Sequence, residues 1–145
     1  MSARIEYEDV HVTIEVIAEQ RLIRSTWHGN VSGEHYRSAL MVILRIVERD
    51  HLKYWLTDAR QMGPILFEDQ QWSVLIYMPL LVHAGLDRIA VVNSSDVLNV
   101  LAVDRMVSAT PDAATYTIAF FENPSIAQLW LTSKEDAPAN VEKKP

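Results

Sequence analysis

Cysteine is missing from all 145 residues, which excludes disulfides, thiolate nucleophiles and cysteine-based zinc sites. Glycine is scarce, with only four in the chain, so phosphate-cradling loops have little to be built from. Neither the P-loop pattern nor G-x-G-x-x-G occurs, and the nucleophile elbow G-x-S-x-G is absent too. No apolar run approaches the ~18 residues that a membrane helix needs. The opening MSARIEYEDV holds no apolar stretch of signal-peptide length. Basic residues number 13 against 19 acids, for a net charge of −6. Nucleic-acid binders usually carry a basic stripe, whereas the local basic cluster here is Lys143-Lys144 near the end. These absences lead us to expect a soluble, cytoplasmic protein with no nucleic-acid partner, no membrane insertion, no metal and no cofactor.

The chain does have apolar content, 49% of its residues. At this length one domain is the expectation, burying roughly 68–70% of the surface of the unfolded chain. We place that domain at residues 1–132. From Ser133 onward the sequence turns polar and proline-containing, which reads as a flexible C-terminal tail over 133–145.

Val10 to Ile17 alternates, with Val10, Val12, Ile14 and Val16 on one face. Leu22 to His28 does the same, with Ile23, Ser25 and Trp27 together. Period-two alternation signals half-buried strands, and the short break at 18–21 makes them an antiparallel hairpin. A one-residue slip would carry polar groups into the core, so the faces set the register. Each position pairs with 39 minus its number: Val12 with Trp27, Val16 with Ile23, Glu15 with Arg24, His11 with His28.

Ser32 reads as the cap of a helix running to about Asp50, with Tyr36, Leu40, Ile43, Leu44 and Val47 inward. A buried strand, Tyr54 to Thr57, ends at Asp58. A loop with Arg60, Met62, Gly63 and Pro64 follows, then a helix from about Glu68 to His83 that Pro79 should kink. Trp72, Leu75, Ile76, Leu80 and His83 fall along one side of it. Arg88 to Val92 is the next strand. The helix after it, capped within Asn93-Ser94-Ser95-Asp96, turns Val97, Leu98, Leu101 and Met106 inward. Thr115 to Phe121 is the last strand, and Asn123-Pro124 opens a final helix with Trp130 packed down. The expected fold is therefore α/β, in the order β-β-α-β-α-β-α-β-α. It has a mostly parallel five-stranded sheet and an N-terminal antiparallel hairpin.

That order, and the residues carrying it, resemble the SpoIIAA-like group of the STAS superfamily (sulfate transporter and anti-sigma-factor antagonist domains). The carrying pieces are Trp27-His28-Gly29 with Ser32-Gly33-Glu34 and Tyr36-Arg37, then Leu56-Thr57-Asp58-Ala59-Arg60 with Met62-Gly63. Glu68-Asp69-Gln70 with Trp72 follows, then Gly85-Leu86 with Arg88-Ile89-Ala90-Val91. The resemblance runs from about Tyr7 to Leu131. It implies a non-catalytic regulatory or protein-interaction domain, with an unknown protein partner and homodimerisation as one form of contact. It also implies a phosphorylatable Ser or Thr in the loop after the central strand. The matching stretch, Asp58 to Gly63, has no hydroxyl residue; Thr57 lies within the strand and Ser73 inside the next helix.

The loop leaving a parallel strand's carboxyl end is where ligands and partners usually dock, which makes Asp58, Arg60, Met62 and Trp72 the candidate binding residues. Asp58 and Arg60 read either as an anion or partner site or as an ion pair that ties down the loop. Met62, Trp72, Tyr77 and Met78 read either as core or as the lining of an apolar pocket. The alternative function is accordingly a small-ligand module, for an anion or a lipid-like molecule, using a cleft by the Asp58–Arg60 loop. A hydrolase built on Asp58 and a nearby histidine is a third reading. Glu68 and Asp69, adjacent on a helix, do not face each other, and helix stabilisation explains them better than paired-carboxylate catalysis. His11 and His28 read as a solvated polar face, or as a metal or pH-sensing pair lacking a third ligand.

Overall fold

In the computed structural model, residues 2–136 and 138 are described. One sheet of six strands runs in sequence order: β1 (Arg4–Glu8), β2 (Val12–Ile17), β3 (Leu22–Gly29), β4 (Tyr54–Met62), β5 (Arg88–Val92) and β6 (Thr117–Phe121). Strand β2 runs antiparallel to both β1 and β3, and β3 to β6 are parallel. The helices are α1 (Gly33–Asp50), α2 (Phe67–Trp72), α3 (Met78–Leu81), α4 (Val97–Ser108) and α5 (Pro124–Thr132), and a π-helical segment, Ser73–Tyr77, joins α2 to α3.

Because the parallel strands advance in one direction, right-handed crossovers place every connecting helix on the same face. The main core forms there, between α1 to α4 and residues such as Ile14, Ile23, Trp27, Trp55, Ile89 and Ile118. Among the described residues only α5 covers the opposite face, where Ala127, Trp130 and Leu131 pack on Ile17, Leu22, Leu56, Ala90 and Ala119.

The hairpin register agrees with the alternation argument: Val12 faces Trp27, Val16 faces Ile23 and Glu15 faces Arg24. Glu15 and Arg24 form the cross-strand ion pair at 3.1 Å. The His28 amide bonds to the His11 carbonyl at 2.9 Å. A 3-10 turn, Ala18–Gln20, closes the hairpin, with Arg21 left-handed at φ 54°.

Four expectations need correction. The sheet has six strands, because Arg4–Glu8 adds an edge strand. It is exposed along nearly its whole length, so no buried face marked it. An ionic cluster of Arg4, Glu6, Arg49 and Asp50 fastens it to the end of α1. Val10 is not on the core face but lies exposed in the β1–β2 turn, where the Asp9 carboxylate accepts the His11 and Val12 amides.

Strand β4 continues through Asp58, Ala59, Arg60, Gln61 and Met62 rather than turning into a loop at Asp58. A register irregularity occurs there, with Thr26 opposite Asp58 but His28 opposite Gln61.

The fourth correction concerns helix faces. Leu75, Ile76 and Leu80 point outward, Leu75 with 70% of its surface exposed, and so do Val97, Leu98 and Leu101 on α4. The buried positions along α2, the π segment and α3 include Asp69, Ser73, Tyr77 and Leu81. That spacing of four is wider than the 3.6 of an α-helix and suits a π turn.

Of the expected tail, Glu135 offers its carbonyl to Arg88 at 2.7 Å; Ala137 and residues 139–145 lie outside the described residues.

Candidate functional site

The candidate residues separate across the sheet. Strand alternation turns Trp55, Thr57 and Ala59 toward α1–α4, and Leu56, Asp58 and Arg60 toward the α5 side. Asp58 is buried on that second face, its side chain 8% exposed against 52% for Arg60, and the two form a fork with Arg60 Nη2 at 2.9 Å and Nε at 3.0 Å. The Asp58 carboxylate also accepts the Arg60 amide N–H at 3.1 Å. The carboxylate raises the Arg60 guanidinium pKa, chiefly through this hydrogen bonding. Each group thus satisfies its neighbour two residues away on one strand. No histidine is among the hydrogen-bond partners of Asp58.

Met62 and Trp72 lie on the other side. Met62 is buried, and its carbonyl accepts the Ser94 hydroxyl at 2.7 Å. The Asn99 amide likewise donates to the Gly63 carbonyl at 2.8 Å, so the segment after β4 is held against the start of α4. Trp72 is partly buried, stacked on Tyr77 at 5.7 Å between ring centroids and edge-on to Tyr36 at 6.3 Å.

Tyr36 and Tyr77, with Trp72 packed behind them and not in the lining, border a partly open cavity of about 120 Å³. The sheet contributes Trp27, Trp55, Thr57 and Ala59 to its wall, α1 adds Tyr36 and Leu40, and the π segment and α3 add Ser73, Tyr77, Met78 and Leu81; α4 closes it with Val103 and Met106. Among the described residues, no Asp, Glu, Lys, Arg or His lines it. Met62, Tyr77 and Met78 therefore share one wall, whereas Asp58 and Arg60 are not part of it.

The polar groups of the wall form small internal networks. Trp27 Nε1 donates to Thr57 Oγ1 at 3.0 Å, Trp55 Nε1 donates to Ser25 Oγ at 3.0 Å, and the two hydroxyl oxygens are 3.2 Å apart. Ser73 Oγ donates to the Asp69 carbonyl at 2.8 Å and accepts from the Tyr36 hydroxyl at 2.7 Å. Burial pushes the Tyr36 hydroxyl up to about 12. Among the described residues the buried Tyr77 hydroxyl has no hydrogen-bond partner, and burial drives its pKa well above the ordinary value. Ser25, Tyr36 and Ser73 escaped the choice of site residues because each is a small or amphipathic residue at a core position. Met62, Tyr77 and Met78 were readable as pocket lining, and the four-residue spacing of Ser73 and Tyr77 was the signal that could have added Ser73 to them.

Asp69 works outside its own helix. Its carboxylate accepts the Gly33 amide at 2.8 Å and Arg37 Nε at 3.2 Å. It therefore caps α1, a role the Ser32 side chain does not take. His11 packs against His35, with centroids 4.4 Å apart and ring planes tilted by 41°, and not against His28, whose Nδ1 meets Gln61 at 3.3 Å. Among the described residues no group of three or more His, Cys, Asp or Glu converges as a metal site, and no helix is long and apolar enough to cross a membrane.

Comparison with family models finds no match, and none is found among curated proteins. Among solved structures, the chain is similar to an uncharacterised protein of the DUF3478 family from Shewanella loihica PV-4, described as having a SpoIIAA-like fold. The two are 18% identical, the match covers 90% of this chain and 96% of that one, and the TM-score is 0.56. Among the described residues, six strands in sequence order, the helices of three crossovers on one face and a lone helix on the other thus make up a SpoIIAA-like α/β fold.

Proposed function

We propose that this chain is a non-catalytic, STAS-type regulatory domain whose cavity takes up a small, mainly apolar ligand. The observation that carries the reading is the apolar cavity between the sheet and the helices, lined in part by Tyr77, whose buried hydroxyl has no partner among the described residues. Concave apolar sites with a few polar groups are the usual form of small-molecule pockets. An apolar cavity of roughly 150 Å³ is known to hold benzene, so 120 Å³ suits a single ring whose substituents reach the mouth. The Asp58–Arg60 pair, mutually satisfied on the opposite face, serves this reading as a structural brace. With no lining cation, an anion has no partner inside the cavity.

Native mass spectrometry of the purified protein, followed by thermal shifts against a panel of small apolar compounds, tests the proposal. A retained mass, or a stabilisation of about 2.7 kcal/mol at a hundredfold excess over Kd, is the expected result. No retained molecule and no shift from any compound would contradict it.

A second reading rests on the outward apolar residues Phe67, Leu75, Ile76 and Leu80, with Phe67 65% exposed. Exposed apolar patches of this kind mark contact surfaces, and a protein partner or a second copy of the chain would cover them. Sedimentation velocity of the wild type against Leu75→Glu separates this from ligand uptake alone: a wild-type dimer that the substitution dissolves supports it, and identical monomers count against it.

A further inference from the structure

The cavity's hydrogen-bonding groups do not balance, and the imbalance has a sign. Around Thr57, the donors are two indole N–H groups, from Trp27 and Trp55, and two hydroxyls, from Ser25 and Thr57. Three contacts join these four donors. Whichever way the Ser25–Thr57 bond points, one hydroxyl hydrogen is left over, and when Ser25 donates it is that of Thr57, on the cavity wall. The Tyr77 hydroxyl adds a second unpaired donor. Tyr36 has none to spare, because Ser73 already donates to the Asp69 carbonyl and must accept from Tyr36. Buried hydroxyls are normally paired, and a donor left without an acceptor in apolar surroundings carries the full cost of its desolvation.

We infer that the cavity selects a neutral molecule bearing a hydrogen-bond acceptor of carbonyl type, read by Tyr77 with Thr57 as the second available donor. This rests on the cavity being a ligand site and adds the chemistry of the ligand. A pure hydrocarbon fills the space but leaves the donors unmatched. A carboxylate or an ammonium brings a charge into a wall with no ionisable partner, at a large desolvation cost. A ketone, ester or amide group attached to an apolar ring supplies the missing acceptor without charge.

The test is an NMR titration at pH 7 of the full chain with three probes of similar shape: acetophenone, ethylbenzene and benzoate. The indole Nε1–H signals of Trp27 and Trp55 report occupancy. Acetophenone is expected to bind about fivefold more tightly than ethylbenzene, the worth of one neutral hydrogen bond, and benzoate more weakly than either. Tyr77→Phe should bring acetophenone close to ethylbenzene while leaving ethylbenzene unchanged. It should not lower the melting temperature of the free protein, since it removes an unpaired hydroxyl. Equal affinity for acetophenone and ethylbenzene in the wild type, or an undiminished preference in Tyr77→Phe, overturns the inference while leaving the ligand site standing. Binding of none of the probes overturns the ligand site itself.

Discussion

The Asp69 carboxylate, 1% exposed in α2, accepts the backbone N–H of Gly33 at 2.8 Å, so the second crossover helix caps the first. Gly33 makes this geometry accessible, because its φ of 57° lies in the left-handed region where a Cβ costs roughly 1–2 kcal/mol. Arg37, one turn into α1, completes the arrangement from its half-exposed side.

Removing the cap should therefore be expensive. Asp69→Ala is expected to lower stability by about 2–3 kcal/mol, combining a lost cap with lost charge-assisted bonds. Arg37→Ala should cost less, because that side chain is largely screened by solvent. Gly33→Ala should cost about 1 kcal/mol or more through backbone strain alone. Urea denaturation of the three variants checks the order.

Two buried tyrosines should answer differently to the same substitution. Tyr36→Phe breaks the bond to Ser73 and should cost about 1 kcal/mol. Tyr116→Phe removes a buried hydroxyl that has no partner among the described residues, and should leave the melting temperature unchanged or raised.

The edge strand should respond to acid. Hydrogen bonds from Arg49 and Arg4 hold the Glu6 carboxyl below its usual range, and Arg49 does the same for Asp50. A depressed carboxylate pKa in the folded state stabilises above the unfolded value of ~4.3 for Glu and ~3.9 for Asp. That stabilisation is lost as pH falls through the lower folded value. Protection of the β1 amides against hydrogen exchange should drop over that window relative to the central strands. High salt, or Glu6→Gln, should flatten the dependence.

The outward residues of the π segment should tolerate polarity. Leu75→Gln and Ile76→Gln are expected to change stability by no more than about 0.5 kcal/mol. Leu81→Ala, at a buried position, should cost about 2–5 kcal/mol. Thermal melts of the isolated variants distinguish this helix face from the one that an α-helical wheel gives.

That last contrast shows where the sequence was legible. The hairpin could be read to the residue, from Val12–Trp27 to Glu15–Arg24, because one buried face and a period of two leave a single register. Arg88 to Val92 and the Asn123 cap were equally plain, since buried apolar runs and an Asn-Pro start are local signals. The segment 67–81 was not, because its buried face carries Asp69, Gln70 and Ser73 while its leucines face outward. Each inward polar group is explained by a partner elsewhere in the chain: Gly33, Arg105 and Tyr36 respectively. Local pattern cannot reveal such long-range partners. The end of β4 was hidden for a related reason. The Asp58–Arg60 pair looked like a loop corner, whereas it is an ion pair along one strand. Tyr77 was visible as a pocket candidate, but the unpaired state of its hydroxyl depends on what surrounds it in space.

A crystal of the protein soaked in acetophenone tests the central proposal most directly. The account predicts electron density for the ring between Trp27, Trp55 and Tyr77, with the ketone oxygen within hydrogen-bonding distance of the Tyr77 or Thr57 hydroxyl. Density only on the outward face of Leu75 and Ile76, or an unoccupied cavity at saturating ligand, would contradict it.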